Sequence, residues 1–249
     1  MVKIKVMNWN IFWGFGSVKN SLHHSLAFWK YFGMVDTKKN VSKISQFIRT
    51  KQIDIVGLQE IDNGSIRNRK FNQVDKVSDI TELKFKKYAP EKTFLNFADD
   101  GNALISRFNF KNIKIIDLPY NKEKRSLISA NYKIKGKEFK VIVTHLGAWK
   151  FNKNERIQQM HTISEYVNSL NIPVILMGDF NCEPQDREFK LLLTKTNLKP
   201  LIDGATYKHM GKDCKYDNIL ISPEIKVIES KILDVNLSDH KPVYAELSI

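Results

Sequence analysis

The chain has 249 residues, enough for one large or two small domains and for a sizeable buried core. With 42% hydrophobic and 27% charged residues its usage is that of a globular protein, which excludes disordered and fibrous classes, and no window carries the run of about 18 apolar residues that a membrane span needs. The formal charge of +13, from 40 Lys and Arg against 27 Asp and Glu, favours an anionic partner, although the lysines are spread along the chain rather than clustered.

Residues 2–10 alternate as a first strand that ends at Asn8-Trp9-Asn10, and they lack the long apolar core of a signal peptide, so a cytoplasmic protein is expected. Asn10 at the strand end reads either as a turn residue or as a group that orients a metal-bound carboxylate. Residues 12–32 are rich in large rings. They read as a helix and loop packed on the body, with a substrate-facing or membrane-touching lip as the alternative. Val41, Ile44, Phe47 and Ile48 recur at helical spacing, so residues 40–51 form a helix lying against a sheet. Residues 53–58 are a second buried strand, and it ends at Gln59-Glu60, the carboxy-end position at which open α/β sheets hold ligands.

Residues 62–92 are polar, with a helix expected around 73–85 and long loops about it. Residues 101–107 form a short strand ending in the basic Arg107, followed by strands at 112–117 and 126–134, and the spacing reads as successive antiparallel strands. Val141 to Leu146 is a β-branched strand with His145 at its end. Residues 152–170 form a helix that crosses over to Val174-Ile175-Leu176-Met177-Gly178-Asp179-Phe180-Asn181. In that stretch Gly178 is read as a turn, and the alternation of Asp179 and Asn181 on extended backbone puts two oxygen-bearing side chains on one face, which suits a hard cation or an attacking water. Lys215 to Ile221 reads as a strand entered by Asp217, for which 225–233 is the expected partner, and Leu237-Ser238-Asp239-His240 turns into a last alternating strand. Cys182 and Cys214 have no metal-ligand spacing and are expected to be reduced thiols, near enough to one another to pair only if their flanking motifs share a site. No repeat, low-complexity linker or break in composition divides the chain, which reads as one domain, 1–249, with alternating strands and helices in α/β layers.

Polar residues able to bind a cation or a phosphate therefore stand at six predicted strand ends or turns. The ordered set Asn-Trp-Asn, Gln-Glu, Gly-Asn-Ala-Leu-x-Ser-Arg, Thr-His-Leu, Gly-Asp-Phe-Asn, Tyr-Asp-x-Ile and Ser-Asp-His-x-Pro-Val spans nearly the whole chain and resembles the endonuclease/exonuclease/phosphatase superfamily. The resemblance implies a four-layer α/β/β/α sandwich, two mixed sheets face to face with helices outside, and a site at one edge. It implies that Glu60, with Asn10 beside it, is the main Mg²⁺ or Mn²⁺ ligand, and that Asp239 is a metal-side carboxylate. Asp179 resembles the residue that positions or activates water, and Asn181 one that touches the phosphate or a metal. His145 and His240 resemble the pair that brackets the scissile phosphate, and Asp217 the carboxylate that holds one imidazole in its tautomer. Arg107 joins Asn181 and His145 among the expected substrate contacts. The carboxylate that would pair with His145 is sought among Asp75, Asp79, Asp99 and Asp100.

The function implied is hydrolysis of phosphodiesters by a divalent-metal enzyme, with nucleic acid as the expected substrate and a monomer as the expected state. Lys215-Tyr216-Asp217-Asn218 is closer to the deoxyribonuclease arrangement than to that of abasic-site enzymes. The alternatives are a sphingomyelinase-like phospholipid phosphodiesterase acting at a membrane surface, a small-molecule phosphatase, and a non-catalytic member that binds nucleic acid.

Overall fold

The computed structural model describes residues 1–17, 36–94, 98–121, 123–148, 152–209 and 211–249. The expectations placed on residues 18–35, which hold most of the aromatic segment, lie outside these. Two six-stranded mixed sheets carry the fold. In the first, β1 (Lys3–Asn10), β2 (Ile55–Ile61), β3 (Phe85–Phe94), β4 (Ala98–Ser106), β13 (Lys226–Ile232) and β14 (Val243–Ser248) run in the order β13-β14-β1-β2-β4-β3. The second runs β5-β6-β7-β8-β12-β9, from β5 (Phe110–Leu118), β6 (Arg125–Ile134), β7 (Lys137–His145), β8 (Val174–Asp179), β12 (Asp217–Ile221) and the two-residue β9 (Lys199–Pro200). A small hairpin, β10 (Tyr207–His209) with β11 (Lys212–Cys214), stands apart from both.

Period-two alternation sorts each strand's side chains between two apolar layers. Val6, Ile55, Leu104, Val143, Met177 and Ile219 meet between the sheets. Met7, Val56, Ala103 and Ile105 face outward against helix α1 (Lys38–Thr50), which presents Val41, Ile44 and Ile48, and helix α2 (Gln73–Thr81), which presents Val74 and Val77. On the far side Ile142, Leu176 and Leu220 pack on helix α3 (Lys153–Asn168), through Met160 and Ile163, and on helix α4 (Arg187–Thr196), through Phe189 and Leu192. The result is the four-layer α/β/β/α sandwich. The parallel pairs β1–β2 and β7–β8 are each joined through a helix, α1 and α3, as crossovers between parallel strands require.

Several local expectations are corrected. Strand β3 and helix α4 are not legible in the sequence. Strand β3 is the edge of its sheet, and its Lys86 and Lys87 give it the charged surface by which edge strands resist further pairing, so it reads as loop. Helix α2 stops at Thr81 because Glu82 takes left-handed backbone, φ 62°. Strands β4 and β5 follow each other in sequence but belong to different sheets. Strand β13 pairs with β14 and not with β12, whose neighbours are β8 and β9.

A carboxylate and histidine site at one end of the sandwich

The inner face of each central strand changes character toward one end of the sandwich. Stepping by two along β1 gives Val6, Asn8, Asn10; along β7, Val141, Val143, His145; along β8, Ile175, Met177, Asp179; and back along β12, Ile221, Ile219, Asp217. In each strand the apolar inner positions give way to polar ones toward this end, and the last of these is a site residue. Strand pairing then aligns them, because His145 is in register with Asp179, and Asp179 with Asp217. Gly178 does not form a turn here. It lies within β8, where an added Cβ would come 2.5 Å from the Thr144 carbonyl oxygen, so glycine allows β7 and β8 to approach directly beside both site residues.

Glu60 reaches the site by another device. Between β2 and β4 the register shifts from Leu58 opposite Ala103 to Ile61 opposite Gly101, and within this bulge Glu60 adopts φ 51°. Left-handed backbone at a non-glycine residue stores strain of about 1–3 kcal/mol. The bulge brings two consecutive side chains inward: Gln59, which donates to Asn8 Oδ1 at 2.8 Å, and Glu60, whose Oε1 accepts from Asn10 Nδ2 at 3.2 Å.

Asp179 is the centre of the cluster. Its Oδ2 accepts from Asn10 Nδ2 at 3.0 Å and lies 3.6 Å from His145 Nε2 and 3.8 Å from His240 Nε2. Its Oδ1 accepts from the backbone N–H of Asn181 at 3.0 Å. Asp179 closes β8, but Asn181 has φ 50° and donates its side-chain amide to the Leu146 carbonyl, so the two do not share the extended backbone expected. His240 Nδ1 is 2.7 Å from Asp217 Oδ2. The turn bearing His240 is fastened to β1 across more than 220 positions of sequence, by Trp9 Nε1 donating to the His240 carbonyl at 2.9 Å and by Ser238 Oγ donating to the Asn10 carbonyl at 2.8 Å. Tyr207, on the small hairpin, stacks on the His240 ring with centroids 4.3 Å apart.

Burial and crowding of carboxylates set the electrostatics. Glu60 is pushed up to about 8 by burial and by the neighbouring Asp100 and Asp239. Burial and Asp217 raise Asp179 to about 6. For His240 burial opposes the charged ring, but Asp217, Asp179 and Asp239 outweigh it and hold the imidazole well above its ordinary value. Glu60 Oε2 is a buried carboxylate oxygen with no hydrogen-bond partner among the described residues, and the neighbouring acids Asp100 and Asp239 raise Glu60 further. This is the donor chemistry of a hard divalent cation, and Glu60, Asn10 and Asp239 fit that role. Asp179, Asp217 and His240 form a second set whose ligand atoms lie within 4.8 Å of one another.

Arg107 stands outside this constellation. Strand β4 runs antiparallel to β2, so Gly101, opposite Ile61, is at the site end while Ser106 pairs with Ile55 at the other. Arg107 there pairs with Asp54, Nε to Oδ1 at 2.9 Å, in an exposed position. Asn102, from the site end of the same strand, lies nearer the chemistry and donates to Glu91 Oε1 at 2.7 Å. Glu91, which the sequence did not single out, is the carboxylate beside His145, at 3.7 Å from Nδ1. Of the four acids considered for that place, Asp75 pairs with Lys86, Asp99 and Asp100 lie toward Tyr88 and Glu60, and none is the partner seen. Arg125, also missed, lies between Glu91 and His145. A signal for it exists. In a chain whose basic residues are mostly lysine, the few arginines include Arg67, Arg125 and Arg156, each buried against a carboxylate, because a planar fork of donors satisfies a buried charge that an ammonium cannot. Cys182 and Cys214 are both buried free thiols. No helix among the described residues is long and apolar enough to cross a membrane.

A profile of the endonuclease/exonuclease/phosphatase family matches residues 7–240. Tyrosyl-DNA phosphodiesterase 2 of Mus musculus is 30% identical over 108 residues, a match that covers 41% of this chain and only 29% of the mouse protein. Among solved structures, an endonuclease/exonuclease/phosphatase from Beutenbergia cavernae superposes with a TM-score of 0.78 at 18% identity, over 99% of this chain and 72% of that one. A mannosyl-6-phosphatase from Bacteroides thetaiotaomicron does so with a TM-score of 0.71 at 17% identity, over 99% of this chain and 100% of the other.

Proposed function

The chain belongs to the endonuclease/exonuclease/phosphatase family, whose members hydrolyse phosphoester bonds, and from that premise we propose that it is a divalent-metal-dependent phosphodiesterase acting on nucleic acid. The observation that carries the chemistry is the placing of Asp179 Oδ2 within 4 Å of two imidazole Nε2 atoms, beside the acids Glu60 and Asp239. Glu60, Asn10 and Asp239 would hold a Mg²⁺ or Mn²⁺ ion, which would supply positive charge to neutralise the phosphoryl group. Asp179, raised to about 6, orients the attacking water and takes its proton. His240, kept charged by Asp217, faces the phosphoryl group as a cationic donor able to protonate the leaving oxygen. His145 and Asn181 contact the non-bridging oxygens.

Support for nucleic acid comes from the net charge of +13 and from the partial likeness to a tyrosyl-DNA phosphodiesterase. The rival substrate, a small phosphomonoester, is favoured by the likeness in fold to a mannosyl-6-phosphatase. A panel of duplex DNA, abasic DNA, RNA, sphingomyelin and phosphomonoesters, run with Mg²⁺, Mn²⁺ and EDTA, decides between them. The reading expects metal-dependent cleavage of DNA or RNA whose binding weakens steeply as salt rises. Turnover of phosphomonoesters alone would replace it with a phosphatase, and turnover of sphingomyelin alone with a lipid phosphodiesterase.

A further inference from the structure

The two site histidines are held by opposite kinds of partner. His240 Nδ1 meets a carboxylate, Asp217 Oδ2, at 2.7 Å. His145 Nδ1 meets a guanidinium instead, Arg125 Nη1, at 3.1 Å. Both His145 and Arg125 are buried, at 1% and 2% exposure. The carboxylate oxygen Glu91 Oε2 is 3.7 Å from His145 Nδ1, beyond hydrogen-bond reach, and already accepts from Arg125 Nη1 at 2.8 Å.

Guanidinium nitrogens donate and never accept, so an imidazole nitrogen 3.1 Å from one must offer a lone pair. A proton on His145 Nδ1 would point at an N–H of a permanent cation. The ring proton is thereby assigned to Nε2, the nitrogen on the Asp179 side. Arg125 has little freedom to leave this position. Its other amino group faces Glu123 Oε2 at 3.4 Å, and Glu123 in turn accepts from the backbone N–H of Ala148, just beyond His145. Glu91 is fixed from its other oxygen by Asn102 and by the backbone N–H of Ser126. The assembly joins β3 and β4 of one sheet to β6 and β7 of the other behind the histidine.

We propose that Arg125 is the positioning residue for His145, holding its ring as the neutral Nε2–H tautomer. His145 is then a pure hydrogen-bond donor to a phosphoryl oxygen, and proton transfer is left to the other histidine. The role toward phosphate rests on the proposed function; the tautomer does not.

Long-range ¹H–¹⁵N correlation spectra of imidazole-labelled protein at neutral pH, without substrate and with His145 assigned by loss of its signals in His145→Gln, read the tautomer directly. The expected pattern is an unprotonated Nδ1 and a protonated Nε2. A proton on Nδ1 in the wild-type protein overturns the proposal. Arg125→Lys keeps the charge but cannot reach Glu91 and His145 together, and should give a mixed tautomer and a loss in kcat of about 10²-fold, the scale of one misplaced transition-state donor, with KM nearly unchanged. Retention of both tautomer and rate in that variant would also overturn it. If Arg125→Lys does not fold, the double variant Arg125→Met with Glu91→Gln removes both buried charges and is read in the same way. Should the wild-type protein cleave no phosphoester, the functional reading falls while the spectrum still decides the tautomer.

Discussion

Asp217 and His240 are 23 positions apart in sequence, yet Asp217 Oδ2 lies 2.7 Å from His240 Nδ1, with both residues buried. The contact fixes the ring so that Nε2 faces Asp179, and it supplies the charge that favours the imidazolium. Asp217→Asn keeps the shape and removes the charge. It should lower kcat by about 10²-fold or more while the circular dichroism and metal affinity stay close to wild type, and His240→Ala should lower it at least as far. A near-normal kcat in Asp217→Asn would show that the proton is handled elsewhere.

The acids of the site make the metal-free protein sensitive to alkali. Glu60 at about 8, Glu91 at about 7 and Asp179 at about 6 all stand above their ordinary values of 4.5, 4.5 and 3.8. Between those limits the folded state binds more protons than the unfolded one, so the stability these groups contribute is full below about pH 4 and is lost as pH rises through 6 to 8. His240, also raised, acts with the same sign above its ordinary 6.5. In EDTA the melting temperature should fall from pH 5 to pH 8. Mg²⁺ or Mn²⁺, which binds the ionised carboxylates, should raise it more at pH 8 than at pH 6 and should release protons on binding. A melting temperature that climbs with pH in EDTA would contradict the assignment.

Gly178 should tolerate no side chain. In Gly178→Ala the new methyl would meet the Thr144 carbonyl oxygen at 2.5 Å, which is backbone and cannot rotate away, so β7 and β8 must part beside His145 and Asp179. A loss of roughly 1–3 kcal/mol in urea unfolding is expected, with a drop in kcat larger than the loss of folded protein explains. Wild-type stability and rate together would show that the strands separate without consequence.

Arg107 provides the contrasting case. Its motif places it among the substrate contacts, but it pairs with Asp54 at the far end of β4. Arg107→Ala should leave kcat and KM within about twofold, the range of an ordinary surface change. A tenfold rise in KM would return Arg107 to the site.

The sequence by itself determined a good deal of this protein. The strands that carry Asn10, Glu60, His145, Asp179 and Asp217 at or near one end are legible because buried strands are apolar runs and a polar residue at the end of one interrupts them; the two crossover helices are legible from their spacing. Only the tertiary structure decided direction and partners. A period-two pattern reads the same from either end, so nothing local says that β4 brings Asn102 rather than Arg107 to the chemistry; its antiparallel pairing with β2 does. The charged edge strand β3 looks like loop, and Glu91 within it gains meaning only when the fold packs it against β6. Nor does spacing reveal that one histidine faces a carboxylate and the other a guanidinium. Arg125, Glu91 and His145 come from three different strands of two sheets, and their contact exists only because the sandwich closes over them and buries the arginine between a carboxylate and an imidazole.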